Sequence, residues 1–154
     1  SVNRSENMEI NTKYFGAMPY TEDEVITFPK GIFGFEECRQ FILIRFEDEN
    51  GGLLCLQNIE NEQLAFVVIN PFCFLPEYKP VLAEAELKLL SAESSEELLF
   101  YNICVLDEDI SKSSVNLRCP LAVNAETKQA IQIILDDGQY AFKQPFHEFA
   151  VKEK

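Results

Sequence analysis

The stretch Val115–Leu135, VNLRCPLAVNAETKQAIQIIL, decides the fold class of this chain. Its apolar side chains recur with a period of two, which is the period of a β-strand with one buried face. The predicted buried positions are Val115, Leu117, Cys119, Leu121 and Val123, followed by Ile131, Ile133 and Leu135. Asn124–Lys128 supplies a turn between the two runs, and Pro120 predicts an edge or a bulge because proline cannot donate a ladder hydrogen bond.

Further short apolar runs separated by turn residues extend this pattern towards both ends of the chain. They predict strands at Val25–Phe28, Phe41–Phe46, Leu53–Asn58, Ala65–Ile69 and Leu98–Leu106. Asp136–Gln139 is typical of a tight hairpin in which Gly138 is able to adopt a positive φ, so Tyr140–Gln144 is expected to pair back as the last strand.

One region, Ala83–Leu99, favours helix, and Ser94 with Glu97 has the spacing of a capping box that opens a further turn. The strands follow one another without long intervening helices. The sequence therefore predicts an all-β, mainly antiparallel fold, a single small β-barrel or barrel-like sandwich of about eight strands with one or two short helical turns.

Length and charge restrict the class of protein and partner. A chain of 154 residues suits one domain, and 26 acidic against 13 basic side chains give a net charge of −13. Nucleic-acid binders need clustered Lys and Arg, so we expect no direct nucleic-acid contact; the acidity favours basic partners or serves solubility alone. No apolar run reaches the ~20 residues of a membrane helix, so we expect no membrane partner.

The cysteines, and an N-terminus without a basic start followed by an apolar segment, predict a cytoplasmic protein. Residues 1–7 are polar and precede Met8, so we expect a vector-derived or disordered leader, a single domain over 8–148 and a polar tail over 149–154. The five cysteines lack any CxxC pair and mostly stand in apolar stretches, which indicates buried reduced thiols rather than disulfides or zinc ligands. We expect the chain to be a monomer when no partner is bound.

Candidate catalytic groups are scarce. His147 is the one histidine and lies near the C-terminus, and no GxSxG turn presents a serine. Asp107–Asp109 lacks the glycine of a calcium loop, and Gly31–Gly34 lacks the residues of a phosphate-binding loop. The sequence predicts no catalytic residue, no metal site and no cofactor, although a carboxylate pair remains an open alternative.

Four segments, in order, resemble the flagellar assembly factor FliW family. Ile26–Glu36, ITFPKGIFGFE, resembles its opening signature, and Asn70-Pro71 followed by Pro76–Tyr78 resembles its second segment. Val115–Asn124 resembles its asparagine-containing strand, and Gln132–Leu135 with Tyr140 is similar to its closing hairpin. The departures are Phe33, Val115 and Cys119, where the family commonly has Pro, Thr and Ala. The resemblance spans Val25 to Phe146, most of the chain.

This resemblance implies a non-catalytic cytoplasmic protein. Such a protein binds newly made flagellin and, once flagellin has been exported, binds the RNA-binding regulator CsrA and relieves its repression of flagellin translation. Two other classes stay open: a different acidic intracellular module for proteins or peptides, and an enzyme that uses a carboxylate pair in the barrel mouth.

Seven residues are candidate partner contacts: Glu36, Glu37, Tyr78, Asp107, Glu108, Asp109 and Asn116. The five acids stand at predicted turns, Tyr78 follows a proline-rich segment expected on the surface, and Asn116 falls on the polar face of its predicted strand. Four phenylalanines near prolines are either exposed anchors or part of the core: Phe72, Phe74, Phe146 and Phe149.

Overall fold

The computed structural model describes residues 8–46, 53–136 and 138–146. The strands are β1 Met8–Thr12, β2 Gly16–Tyr20, β3 Ile26–Thr27, β4 Gln40–Arg45, β5 Leu53–Asn58, β6 Ala65–Ile69, β7 Leu99–Val105, β8 Ser114–Val115, β9 Leu121–Val123, β10 Ala130–Gln132 and β11 Gln144–Pro145. The helix α1 covers Glu84–Leu89, and 3-10 turns cover Glu22–Glu24, Pro71–Cys73, Ser95–Glu97 and Ile110–Lys112. None of the described helices is long and apolar enough to cross a membrane.

An antiparallel, nine-stranded sheet forms the body of the molecule. Its main path runs β10-β9-β7-β6-β5-β4-β3, with β8 beside β7 and β11 beside β8. A parallel bridge joins Thr27 to Gln129, and the Thr27 N–H donates to the Lys128 carbonyl at 2.9 Å. The two ends of the path therefore meet, which agrees with the predicted barrel-like all-β class.

Each strand of the sheet presents alternate side chains to an inner and an outer face. The inner face holds a core of which Phe28, Phe41, Leu56, Val68 and Leu121 are fully buried members. The outer face holds a second cluster, whose members include Ile69, Tyr78, Leu82, Leu90, Phe100 and Tyr140. Alternation along β7 therefore decides which of its side chains point to the inner core and which to the outer cluster.

The predicted strands from Phe41 to Leu106 are confirmed with small shifts at their ends. In the segment that decides the fold class, Val123 pairs with Ala130, and Ile131, Ile133 and Leu135 are buried as the alternation predicts. However, the expected continuous strand over Val115–Val123 is wrong. It is divided into β8 and β9, which pair with β7 in succession.

The interruption of that strand is a bulge of five residues, 116–120, opposite two residues of β7. Asn116 shapes it, because its Oδ1 atom accepts hydrogen bonds from the N–H groups of Arg118 and Cys119 at 3.1 and 2.9 Å. The sequence placed a bulge at Pro120, and the structure shows that it begins four residues earlier, since an asparagine side chain competes with the ladder for backbone donors.

The predicted pairing of Tyr140–Gln144 with the preceding run is wrong. Gln144–Pro145 instead forms β11 against β8, and the Ala141 carbonyl accepts from the N–H groups of Leu117 and Arg118. The Tyr140 ring draws this segment over the outer face, where it packs 4.8 Å from the Tyr78 ring in an edge arrangement. Burial of an aromatic side chain outweighs the local preference for a hairpin.

The predicted helical region contains two short pieces, α1 and the turn Ser95–Glu97. The predicted capping box between Ser94 and Glu97 is wrong. Ser94 Oγ accepts from the Glu96 N–H at 3.1 Å, and the Glu97 carboxylate accepts from the Glu93 N–H at 3.3 Å, so the two residues do not cap each other. Ser91 has a φ of 55° and turns the chain between the two pieces.

The hairpin β1–β2 is a feature that the sequence analysis did not predict. It covers the outer face of β4 and β5, where Ile10 joins Ile42, Ile44 and Cys55 in a third buried cluster. Its strands are largely exposed and lack a regular apolar alternation, so its position depends on the surface that it covers.

Glycine substitutions test the close approach that shapes the loop after β3. Gly31 has a φ of +72°, and a Cβ there would lie 2.5 Å from the Glu36 Cα, whereas Gly34 has a φ of +87° with no atom within 4 Å. We expect Gly34→Ala to lower the free energy of unfolding by about 1 kcal/mol through backbone strain, and Gly31→Ala by about 3 kcal/mol because a clash adds to it. Urea unfolding measures both; equal losses would show that the close approach is absent.

Candidate functional site

An apolar patch lies where the inner face opens to solvent. The Phe35 ring is 41% exposed and packs edge-on against Phe66 with a centroid distance of 5.3 Å. Val68 pairs with Ile103 in an antiparallel register. Phe66, two residues before Val68, therefore lies opposite Val105, two residues after Ile103, and on the same face. Val105 is 64% exposed. Phe35, Phe66 and Val105 are called the mouth patch below.

The first acidic loop beside the mouth patch is held by hydrogen bonds that its backbone N–H groups donate. The Phe33 N–H donates to Gln132 Oε1 at 2.8 Å, and the Phe35 N–H donates to the Ile32 carbonyl at 2.6 Å. Glu36 Oε2 accepts from the Gly34 N–H at 3.1 Å, and the side chains of Glu36 and Glu37 are exposed. These two carboxylates are therefore presented to solvent next to Phe35.

The second acidic loop starts two residues after Val105. Asp107 Oδ1 accepts from the Asp109 N–H at 3.0 Å, and Asp109 Oδ1 accepts from the N–H and hydroxyl of Ser111 at 3.1 and 2.8 Å. The Asp107 N–H in turn donates to Ser113 Oγ at 2.8 Å. Asp107, Glu108 and Asp109 are all exposed, so the aspartates organise the turn and keep its charge in water.

The structure thus brings five of the seven candidate contacts to one end of the sheet. Phe35 rests on Phe66 at the start of β6, and the antiparallel register places the end of β7 beside that start. Glu36 and Glu37 follow Phe35, and Asp107–Asp109 follow β7. The result is an apolar centre with carboxylates on two sides, an arrangement that suits a partner with a basic rim.

Tyr78 and Asn116 do not belong to this surface. The expected surface position of Tyr78 is wrong: its side chain is 3% exposed, and burial raises its pKa far above the ordinary value. Its hydroxyl donates to the Leu117 carbonyl at 2.5 Å and accepts from Asn102 Nδ2 at 3.2 Å. The expected strand position of Asn116 is wrong as well, because this half-buried residue caps the bulge.

Phe33 and Phe35 are exposed, with 47% and 41% of their surfaces accessible, although neither was predicted as a surface residue. The signal was available, because two phenylalanines next to glycines in a tight loop cannot both reach the core. Of the four phenylalanines left open, Phe72 is 40% exposed, Phe74 and Phe146 are half-buried, and Phe149 lies outside the described residues.

The described residues offer little to the enzyme alternative. Their buried polar side chains are Thr12, Gln57, Asn58, Asn102 and Ser113, which include no acid. No group of three His, Cys, Asp or Glu residues within these ranges could hold a metal ion. Burial raises the pKa of Cys55 to about 11 and that of Cys104 to about 12, so both thiols are protonated at neutral pH. His147 lies outside the described residues.

Comparisons with known proteins agree on one family. The family model described as FliW protein matches residues 9–146. A flagellar assembly factor FliW from Caldanaerobacter subterraneus subsp. tengcongensis is 42% identical over 141 residues, covering 92% of this chain and 94% of the relative. The factor of the same name from Shouchella clausii is 37% identical over 140 residues, covering 91% and 95%.

A solved structure is similar over nearly the whole fold. The crystal structure of a flagellar assembly factor FliW superposes with a TM-score of 0.83 at 29% sequence identity, covering 90% of this chain and 96% of that one. At this coverage and score, the overall architecture of this chain is shared with that structure.

Removing the Tyr78 hydroxyl distinguishes a structural residue from a contact residue. We expect Tyr78→Phe to lower the free energy of unfolding by about 1–3 kcal/mol, because the Leu117 carbonyl and Asn102 Nδ2 lose a buried partner. Chemical denaturation measures the loss, and Tyr14→Phe, at a residue 49% exposed, serves as the control with an unchanged midpoint. A Tyr78→Phe protein of full stability would contradict the structural role.

Proposed function

Because the chain belongs to the FliW family of flagellar assembly factors, we propose that it binds flagellin in the cytoplasm and antagonises the RNA-binding regulator CsrA. Flagellin held by this chain keeps it from the regulator. When flagellin has been exported, the released chain binds the regulator and flagellin translation resumes. The role is that of a non-catalytic binding protein that couples export to synthesis.

The mouth patch with its two acidic loops is the observation that supports the regulator half of this proposal. Glu36, Glu37 and Asp107–Asp109 surround an exposed apolar centre on a chain with a net charge of −13. An RNA-binding protein carries Lys and Arg to meet phosphate, so opposite charge favours its encounter with this surface. The same charge repels RNA, which discourages a complex of all three.

The two parts of the surface serve different steps of binding. Exposed carboxylates act over about 10 Å at 0.1 M salt and raise the association rate, while their net contribution to affinity is small. The apolar centre at Phe35 and Val105 loses water on contact and provides the affinity. Hydrogen bonds hold both acidic loops in place before the partner arrives, so little ordering entropy is lost.

Sharing of the chain between two partners is sufficient for the signal. Each partner lowers the concentration of chain that is free for the other, provided that the two complexes exclude each other, through overlapping contact surfaces or through a conformational change. The regulator therefore senses the amount of flagellin that has not been exported. We expect the chain to be a monomer when neither partner is bound.

Charge reversal in the second acidic loop tests the electrostatic part of the proposal. We expect the combined change Asp107→Lys, Glu108→Lys and Asp109→Lys to slow association with purified CsrA about tenfold at low salt and to flatten its salt dependence. Stopped-flow fluorescence measures the rate. The amide variant Asp107→Asn, Glu108→Gln and Asp109→Asn keeps the turn's acceptors and should show an intermediate rate.

The matched control reverses three exposed acids away from the mouth patch, Glu22, Glu24 and Glu126, and so changes the net charge equally. This control should retain most of the association rate. Equal slowing in both reversed variants would mean that only net charge matters and would remove Asp107–Asp109 from the interface.

Reconstitution with three purified proteins tests the function as a whole. We expect the chain to release CsrA from a flagellin leader RNA in a gel-shift assay, and added monomeric flagellin to restore the RNA complex by mass action. Purified flagellin denatured before addition is the control and should not restore it. Persistent binding of RNA at saturating chain would refute the antagonism, and failure of native flagellin to reverse the release would refute the coupling.

A further inference from the structure

A groove of about 750 Å³ lies on the outer face of the sheet, away from the mouth patch. Its floor contains Phe72, Tyr78 and Phe100, and Val81, Glu77 and Glu96 stand on its walls. Phe100 and Val105 are five residues apart on β7, so their side chains point to opposite faces of the sheet. A partner on the mouth patch therefore leaves this groove free.

The groove is formed before any ligand enters. The Leu82 N–H donates to Ser95 Oγ at 2.9 Å, which ties the wall containing Val81 to the wall containing Glu96. The Tyr78 N–H donates to the Leu75 carbonyl at 2.9 Å, and the Tyr78 hydroxyl anchors the floor to the bulge. These bonds fix the positions of the walls and the floor relative to each other, so binding requires little rearrangement of the groove.

The floor is aromatic and partly open to solvent. The Phe72 ring centroid lies 6.0 Å from that of Tyr78 and 6.3 Å from that of Phe100. Phe72 is 40% exposed and Val81 is 63% exposed, an arrangement that leaves apolar area uncovered. An apolar side chain of a partner would gain free energy by covering it.

The charges on the walls indicate which residues should flank the apolar side chain of the partner. Glu77 and Glu96 are exposed on the two walls, Lys79 is the cation among the lining residues, and Glu93 and Glu97 are exposed beside Glu96. The local balance is acidic, as it is over the whole chain. Charge complementarity therefore selects a segment in which Lys or Arg adjoins the apolar anchor, and an acidic segment would be repelled.

We propose that this groove is a second protein-binding site, occupied by a partner segment whose aromatic or branched apolar side chain is flanked by Lys or Arg. Its volume falls within the range of about 300–1,000 Å³ that is usual for binding pockets. The site is independent of the mouth patch and of the partner identities proposed above. It allows this chain to hold a further protein partner while the mouth patch is occupied.

The test uses the whole chain, isotopically labelled, and a short capped peptide with one Phe flanked by Lys on both sides. We expect saturable changes in the amide resonances of Lys79, Ser95 and Glu96, with the loop Phe33–Glu37 unchanged. A peptide with Glu in place of each Lys should bind at least about fivefold more weakly, as expected for two exposed ion pairs. Failure of the Lys peptide to bind at millimolar concentration would overturn the proposal.

Variants of the groove separate the aromatic and the charged contributions. We expect Phe72→Ala to weaken the Lys peptide about tenfold, and Glu77→Gln with Glu96→Gln to weaken it about fivefold and to remove the preference over the Glu peptide. Glu62→Gln with Glu126→Gln is the matched control and should leave binding unchanged. Since Glu77 and Glu96 are exposed, the glutamine variants should keep the unfolding midpoint, whereas Phe72→Ala loses ring contacts with Tyr78 and Phe100 and should lower it modestly.

Two results would overturn the assignment. Equal binding of the Lys and Glu peptides would contradict the charge selection, and resonance changes confined to the mouth patch would place the peptide elsewhere. Release of CsrA from RNA should survive in Phe72→Ala. A groove variant that loses both activities would show that the two faces are one site, whereas loss of the CsrA effect in every variant, with peptide binding intact, would count against the proposed function alone.

Discussion

Strand β7 is hydrogen-bonded along both edges, to β6 on one side and to β8 and β9 on the other. Its side chains must alternate between the two faces of the sheet, because the backbone allows no other arrangement in a ladder. Phe100, Asn102 and Cys104 therefore point to the outer face, and Ile103 and Val105 to the inner one. The two candidate surfaces of the molecule are separated by this alternation.

The bulge opposite the middle of β7 depends on one buried amide. Asn102 Nδ2 donates to the Asn116 carbonyl at 2.8 Å and to the Tyr78 hydroxyl at 3.2 Å. Asn102 Oδ1 is buried without a hydrogen-bond partner among the described residues. A buried polar network of this kind favours one arrangement of the chain, because any other would leave more groups unpaired. The network positions Tyr78, and Tyr78 in turn forms the floor of the groove.

Recognition in this protein is assigned to loops and faces that a rigid sheet positions. Carboxylates are expensive to bury, so the acids gather at turns such as Glu36–Glu37 and Asp107–Asp109, while the strands retain the apolar residues. The two turns are 70 positions apart in the sequence, between Glu37 and Asp107, yet they flank the same patch.

The sequence alone was sufficient to predict the fold class, most of the strands and the family. Period-two alternation is a local signal, so it marked Ala130–Leu135 and the strands from Phe41 to Leu106 without reference to any partner. Charge and turn chemistry likewise placed the acidic loops on the surface. The glycine-flanked phenylalanines Phe33 and Phe35 carried a readable signal that pointed to solvent.

Long-range packing determined the features that depend on which strands become neighbours. The split of Val115–Val123, the move of Gln144–Pro145 to β8 and the burial of Tyr78 arise from contacts between segments tens of residues apart. Local sequence preferences are worth about 1 kcal/mol or less per residue, and burial of an aromatic ring exceeds this. The mouth patch and the groove exist for the same reason, because each is assembled from loops that meet only after the sheet has formed.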